Sequence, residues 1–281
     1  MAYFTTKDNV KIWYEEFGEG DKYLLCTMVS HAEYSFEKEM AKRGFHVYLL
    51  TNRGFGKSDH VTEDYGDFWY DRFAEDVVEF ADYLGIDKFT YSGASHGAGT
   101  GWHILMNHQD RVNCFFAVVP GPHNIDEGAM SIRKMIMEGK MAFPIMTWPS
   151  EDPAILKRRE LEKEVTDRLK AQPDYEAIYN SPETKAIDYG RPMTRLGSEE
   201  KLKEVLSGIQ TPTLMIGGIH DPISRPDLMV RTLQCLPNCK MVIYSGMSHN
   251  IDIYEEMADE AMAFYKHVME DGTIYAPVVN P

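Results

Sequence analysis

The chain predicts an α/β fold, a mostly parallel central sheet flanked by helices with a helical segment inserted late in the sheet. Three observations carry this reading. Short apolar runs of strand character alternate with amphipathic helical patterns over residues 1–121. That rhythm stops across residues 122–206, which are helical in pattern and hold no convincing strand, and it resumes over 207–281. Between a strand pattern and a helix pattern stands Gly93-Ala94-Ser95-His96-Gly97, the spacing of a sharp strand–turn–helix.

The elements follow in order. VKIWYEEFG (10–18) alternates with a period of two and ends on a Gly18/Gly20 turn. KYLLCTMV (22–29) and HVYLLTN (46–52) are continuous apolar runs, the pattern of strands covered on both faces. EYSFEKEMAKRG between them fits a helix ending at Gly44 with Lys42 and Arg43 in its last turn. In DRFAEDVVEFADYLG (71–85), Phe73, Val77, Phe80 and Leu84 share one helical face. KFTYSGAS reads as a strand, 96–109 as a helix and VNCFFAVVP (112–120) as a strand. Past Gly121 the sequence turns rich in Met and charge and is punctuated by Pro144, Pro149, Pro153, Pro173 and Pro182. Strand–helix alternation returns with TPTLMIGG (211–218), a helix near 226–236, KMVIYSG (240–246) and a last helix near 251–269.

Composition narrows the function classes. Twenty-nine Lys and Arg stand against 44 Asp and Glu, a formal charge of -15. Such a field repels phosphate backbones and anionic lipid, so the expected partner is a small-molecule substrate, with no nucleic acid and no membrane. Cys26 and Cys114 lie in strand-like runs and read as buried thiols, while Cys235 and Cys239 form a lone C-x-x-x-C that makes no zinc pattern. No cofactor and no metal are expected. The first ten residues carry no basic segment followed by an apolar one, and no apolar run reaches membrane-spanning length, so the expected compartment is the reducing cytoplasm.

The chemistry-bearing residues are Ser95, Asp221 and His249. A serine on a tight turn opening a helix presents its hydroxyl and lets the backbone N–H of the next residue, His96, face a developing oxyanion. The hydroxyl needs a base, and the base needs an acid to orient it, in the chain order Ser, Asp, His. Asp221 follows the strand run TLMIGG and His249 follows KMVIYSG, so both stand at carboxyl ends of strands, where open α/β sheets place their sites.

With NRGFGKSD (52–59), YLGIDKFTYSGASHG and PTLMIGGIHDPISRP in view, the chain resembles the α/β-hydrolase superfamily, in its branch with a helical cap after the sixth strand. The resemblance implies Ser95 as nucleophile, His249 as general base and then acid, and Asp221 as the group that holds the imidazole tautomer. It implies residues 122–206 as cap. Relatives carry His-Gly after the third strand, where a backbone N–H completes the oxyanion hole. This chain has Cys26-Thr27-Met28-Val29-Ser30-His31, which leaves the N–H of Met28 or Val29 as the second donor. Asp126, after the sixth strand, is the reserve acid. His96 is expected to line the pocket, and Trp102 and Trp148 to pack. The implied activity is hydrolysis of a small, mostly apolar ester, lactone or thioester through an acyl-enzyme. Three alternatives stay open: C–C (diketone) or amide hydrolysis by the same triad, a cofactor-free dioxygenase that GASHG with Trp102 also resembles, and a non-catalytic ligand receptor.

Overall fold

The computed structural model describes residues 2–29, 35–123, 128–179, 181–252 and 254–275. Eight strands form one sheet: β1 (Ala2–Thr5), β2 (Lys11–Phe17), β3 (Lys22–Met28), β4 (Phe45–Thr51), β5 (Phe89–Ala94), β6 (Val112–Val118), β7 (Thr213–Gly218) and β8 (Cys239–Tyr244). Their order is β1-β2-β4-β3-β5-β6-β7-β8, with β2 antiparallel to both neighbours and every pair from β4 to β8 parallel.

The period of two sorts each central strand's side chains between two layers. Leu24, Cys26, Phe116, Val118, Leu214 and Ile216 face the layer built with α1 (Phe36–Lys42) and α10 (Tyr254–Tyr265). Leu25, Tyr91, Phe115, Ala117 and Met215 face the layer built with α2 (Trp69–Leu84), α3 (His96–His108), α8 (Glu199–Gly208) and α9 (Pro226–Leu233). Trp102 lies wholly buried in that second layer, edge-on to Phe115. The run NRGFGKSD forms a structural node. Arg53 is buried and donates to Asp76 from Nε (2.8 Å) and Nη2 (2.5 Å), and to Asp8 from Nη1 (2.7 Å). Ser58 Oγ donates to Thr51 O at 2.6 Å and accepts the Trp13 N–H at 2.8 Å, closing the turn onto the strands.

Between β6 and β7 lie α4 (Ile132–Met137), α5 (Pro153–Lys170), α6 (Tyr175–Tyr179) and α7 (Pro182–Ala186), then α8. Among the described residues of this stretch there is no strand. Two of the prolines open helices instead of breaking them. Pro153 and Pro182 occupy first turns behind Asp152 and Ser181, whose side chains accept the N–H groups of Ala154 and Thr184. The expected division at residue 206 falls inside α8, whose Leu202 and Leu206 are fully buried in the layer with Leu105 and Met215. Helix α8 thus packs as part of the sheet's own covering. One strand, β1, is additional to the sequence expectation, and the last helix begins at Tyr254 and closes with a wider π turn over Lys266–Glu270. Among the described residues no helix is long and apolar enough to cross a membrane.

Candidate active site

The site stands at the carboxyl ends of β3, β5, β6, β7 and β8. Ser95 joins β5 to α3 with φ 50° and ψ -107°, a conformation L-residues adopt at a cost of about 1–3 kcal/mol. The surroundings hold it there. Its N–H donates to Val118 O at 2.9 Å, and its carbonyl accepts the Gly99 N–H at 3.0 Å. A Cβ at Gly93 would lie 2.2 Å from the carbonyl carbon of Gly97, and one at Gly97 would lie 2.6 Å from Thr27 O. Both glycines are therefore needed for the close approach of turn, helix and β3. Tyr91 adds a tie by donating its hydroxyl to Gly97 O at 3.0 Å, and Thr27 Oγ1 lies 2.9 Å from that Tyr91 hydroxyl oxygen.

The three expected polar residues meet. His249 Nε2 lies 2.9 Å from Ser95 Oγ, and His249 Nδ1 lies 2.9 and 3.0 Å from the Asp221 oxygens. A carboxylate only accepts, so Nδ1 carries the proton and Nε2 is free to accept from the serine hydroxyl. Asp221 is 3% exposed and His249 6%, while Ser95 remains open to the space above it. Asp221 Oδ1 also accepts the N–H groups of Ile223 (2.8 Å) and Ser224 (2.9 Å), which fix the carboxylate plane. The two loops are joined by Ile219 N–H to Tyr244 O (3.1 Å) and His220 N–H to Met247 O (2.9 Å).

Residues 145–148 strap across these loops. Ser248 Oγ donates to Ile145 O at 2.6 Å, the Asn250 N–H donates to Met146 O at 2.6 Å, and Trp148 stacks on His220 with centroids 3.7 Å apart. Arg159 of α5 ties the strap by donating to Trp148 O (2.7 Å) and from Nε to the buried Asp252 (3.1 Å).

His96 is buried among Tyr70, Phe73 and Tyr189. Its Nδ1 accepts from Asn52 Nδ2 at 3.2 Å, leaving the proton on Nε2, which has no partner among the described residues. Burial drives its pKa down to about 3, so the ring is neutral at ordinary pH. Met28 ends β3 and lines the same cavity as Ser95, and Val29 follows it. Asp126, Ser30 and His31 lie outside the described residues.

Two cavities meet at Ser95 and His249. The first, about 380 Å³, lies between α1, α5 and α10 and contains Glu37 and Glu162. Burial raises the pKa of both carboxyls, with Ser92 Oγ bonded to Glu37 at 3.2 Å and Tyr254 bonded to Glu162. The second, about 510 Å³, lies under α4 and residues 143–146 and contains Arg133, Lys185 and Arg191 beside Tyr70 and Tyr189. These residues carry no signal of a site in the order of the chain. Asn52, Glu37 and the cations look like any polar residue of a loop or exposed helix, and only packing brings them to the serine.

Comparison with known proteins agrees with this architecture. Residues 25–141 match the family model described as alpha/beta hydrolase fold. The AB hydrolase superfamily protein YisY of Bacillus subtilis is 23% identical over 262 residues, covering 90% of this chain and 94% of that protein. The bifunctional esterase/perhydrolase DCH of Acinetobacter calcoaceticus is 31% identical over 106 residues, 35% of this chain and 37% of that one. Among solved structures, the meta-cleavage product hydrolase CumD of Pseudomonas fluorescens IP01 superposes with a TM-score of 0.68 at 16% identity, covering 95% of this chain and 98% of that one. A mixed eight-stranded sheet with this order, a serine on a strained strand-to-helix turn and the match over 25–141 together give the chain the α/β-hydrolase fold.

Proposed function

We propose that the protein is a serine hydrolase that cleaves a small ester, lactone or thioester through an acyl-enzyme on Ser95. The observation that carries this reading is the hydrogen-bonded line Ser95 Oγ–His249 Nε2 and His249 Nδ1–Asp221, with 2.9 Å at each junction. His249 Nε2 takes the Ser95 proton as Oγ bonds to the substrate carbonyl carbon, and the resulting oxyanion is met by the His96 N–H and an N–H of Met28 or Val29. The imidazolium returns its proton to the leaving oxygen or sulfur as the acyl bond breaks. Water then repeats the sequence, so that one water is consumed and an acid is released with an alcohol or thiol (for a lactone, with its own opened hydroxyl). Asp221 stays ionised throughout and holds the tautomer. The esterase activity in the name of the 31%-identical relative supports the ester class. In this reading the helical segment between β6 and α8 acts as the cap that walls both cavities, and Asp221, bonded to His249, is the acid.

The test is intact-mass analysis after exposure to a small phosphonate serine probe. One stoichiometric adduct on the wild type, lost in Ser95→Ala, is the expected result, together with a fall in kcat of about 10³-fold or more toward any ester found to be a substrate. A folded wild-type protein that gives no adduct, or a Ser95→Ala protein with full turnover, would overturn the reading.

A further inference from the structure

The two cavities that meet at Ser95 are lined by ionisable side chains of opposite kind. Among the described residues, the first is lined by Glu37 and Glu162 and by no Lys or Arg, and the second by Arg133, Lys185 and Arg191 and by no Asp or Glu. Gathering three cations in one chamber runs against a composition of 29 basic and 44 acidic residues. Arg133 is half-buried on α4, and its one bond among the described residues is from Nη1 to Thr184 O at 2.7 Å. A guanidinium has five N–H donors, and among the described residues Arg133 meets no carboxylate, so this group has donors to spare for an anion. Its charge is felt at the chamber wall: burial drives the Tyr189 phenol up to about 12, and Arg133 is the main influence pulling it back. Lys185 has Glu176 at 3.9 Å as its nearest carboxylate among the described residues. Ile132, Ile136 and Met137 supply apolar wall to the same chamber.

We infer that the half of the substrate entering the second chamber ends in a carboxylate received by the Arg133 fork with Lys185 beside it, so that the preferred substrates are anionic hemi-esters or carboxylated lactones. The inference rests on the serine-hydrolase reading and narrows its substrate class. The planar fork matches a carboxylate bidentately, and the first chamber offers that group no cation among the described residues, so one difference in lining sets which end of the substrate lies on which side of Ser95.

A matched pair tests this: phenyl hydrogen adipate against phenyl hexanoate, alike in chain length and different in the terminal carboxylate. The wild type is expected to favour the anionic ester by about 10-fold or more in kcat/KM, the scale of one charge-assisted contact. Arg133→Met is expected to collapse that ratio, chiefly through KM, whereas Lys88→Met, at the opposite end of β5, keeps it. Calorimetric titration with adipate reads the same site without turnover, and binding lost in Arg133→Met is the expected result. Equal turnover of the two esters, or adipate binding that survives Arg133→Met, would overturn the anion assignment. Adipate binding through Arg133 in a protein that hydrolyses neither ester and takes no phosphonate would overturn the nucleophile reading alone.

Discussion

His96 sits one residue from the nucleophile yet does a different job from the histidine that faces it. His249 has a hydrogen-bond partner on each nitrogen, whereas the His96 ring is clasped by aromatic side chains and, among the described residues, bonded by Asn52 at one nitrogen only. Holding a neutral imidazole with a pKa near 3 has a stability consequence of definite sign. The unfolded chain protonates this residue near pH 6.5 and the folded chain does not, so the stability it contributes is complete above that pH and is lost progressively as pH falls toward the folded value. The loss between pH 7 and pH 5 is about 2 kcal/mol. Denaturant unfolding of wild type and His96→Asn at both pH values should show a slope on the wild type that the variant lacks. Equal slopes would mean that the ring is protonated in the folded state.

The node around Arg53 has consequences for whole elements. Arg53 follows β4, Asp76 lies on α2 and Asp8 lies in the β1–β2 turn, so one side chain joins three separate elements. Removing a buried partner leaves the other charge stranded, which costs more than the pair gains. Arg53→Met is expected to lower the unfolding free energy by about 3–5 kcal/mol, read from urea midpoints at constant m-value. Asp8 is partly in water, and the Arg53 hydrogen bond holds its carboxyl below the usual carboxylate range. Its stabilising effect is therefore present above its unfolded pKa and fades as pH falls through the lowered one, and Asp8→Asn should flatten the acid limb of the stability profile. This scale also shows what could be read from the chain alone. Strands β3 to β8 were legible because each is an apolar run between turn residues, and Ser95, Asp221 and His249 were legible because each follows such a run. Strand β1 was not. Ala2–Thr5 is four residues long, and its strand character comes from pairing with β2 across a turn. The packing of α8 was hidden for a related reason: Leu202 and Leu206 match the apolar spacing of any surface helix, and burial between α3 and β7 is a property of the tertiary fold.

Across the whole molecule, the polar machinery sits on loops of the sheet while the chamber walls are largely supplied by the segment between β6 and β7. Arg133 and Lys185 are 52 positions apart on two helices, and their common face toward Ser95 has no trace in the order of residues. Two cavities sharing one nucleophile also turn a division of space into an order in time. On the acyl-enzyme route the leaving half departs first and empties its chamber for water, while the acyl half stays in the other chamber until deacylation. The two products then differ as inhibitors. The one released last returns to free enzyme and competes with substrate, and the one released first meets the acyl-enzyme and inhibits noncompetitively. Product-inhibition patterns for the acid and the alcohol are thus expected to differ in kind, the acid competitive with substrate and the alcohol noncompetitive.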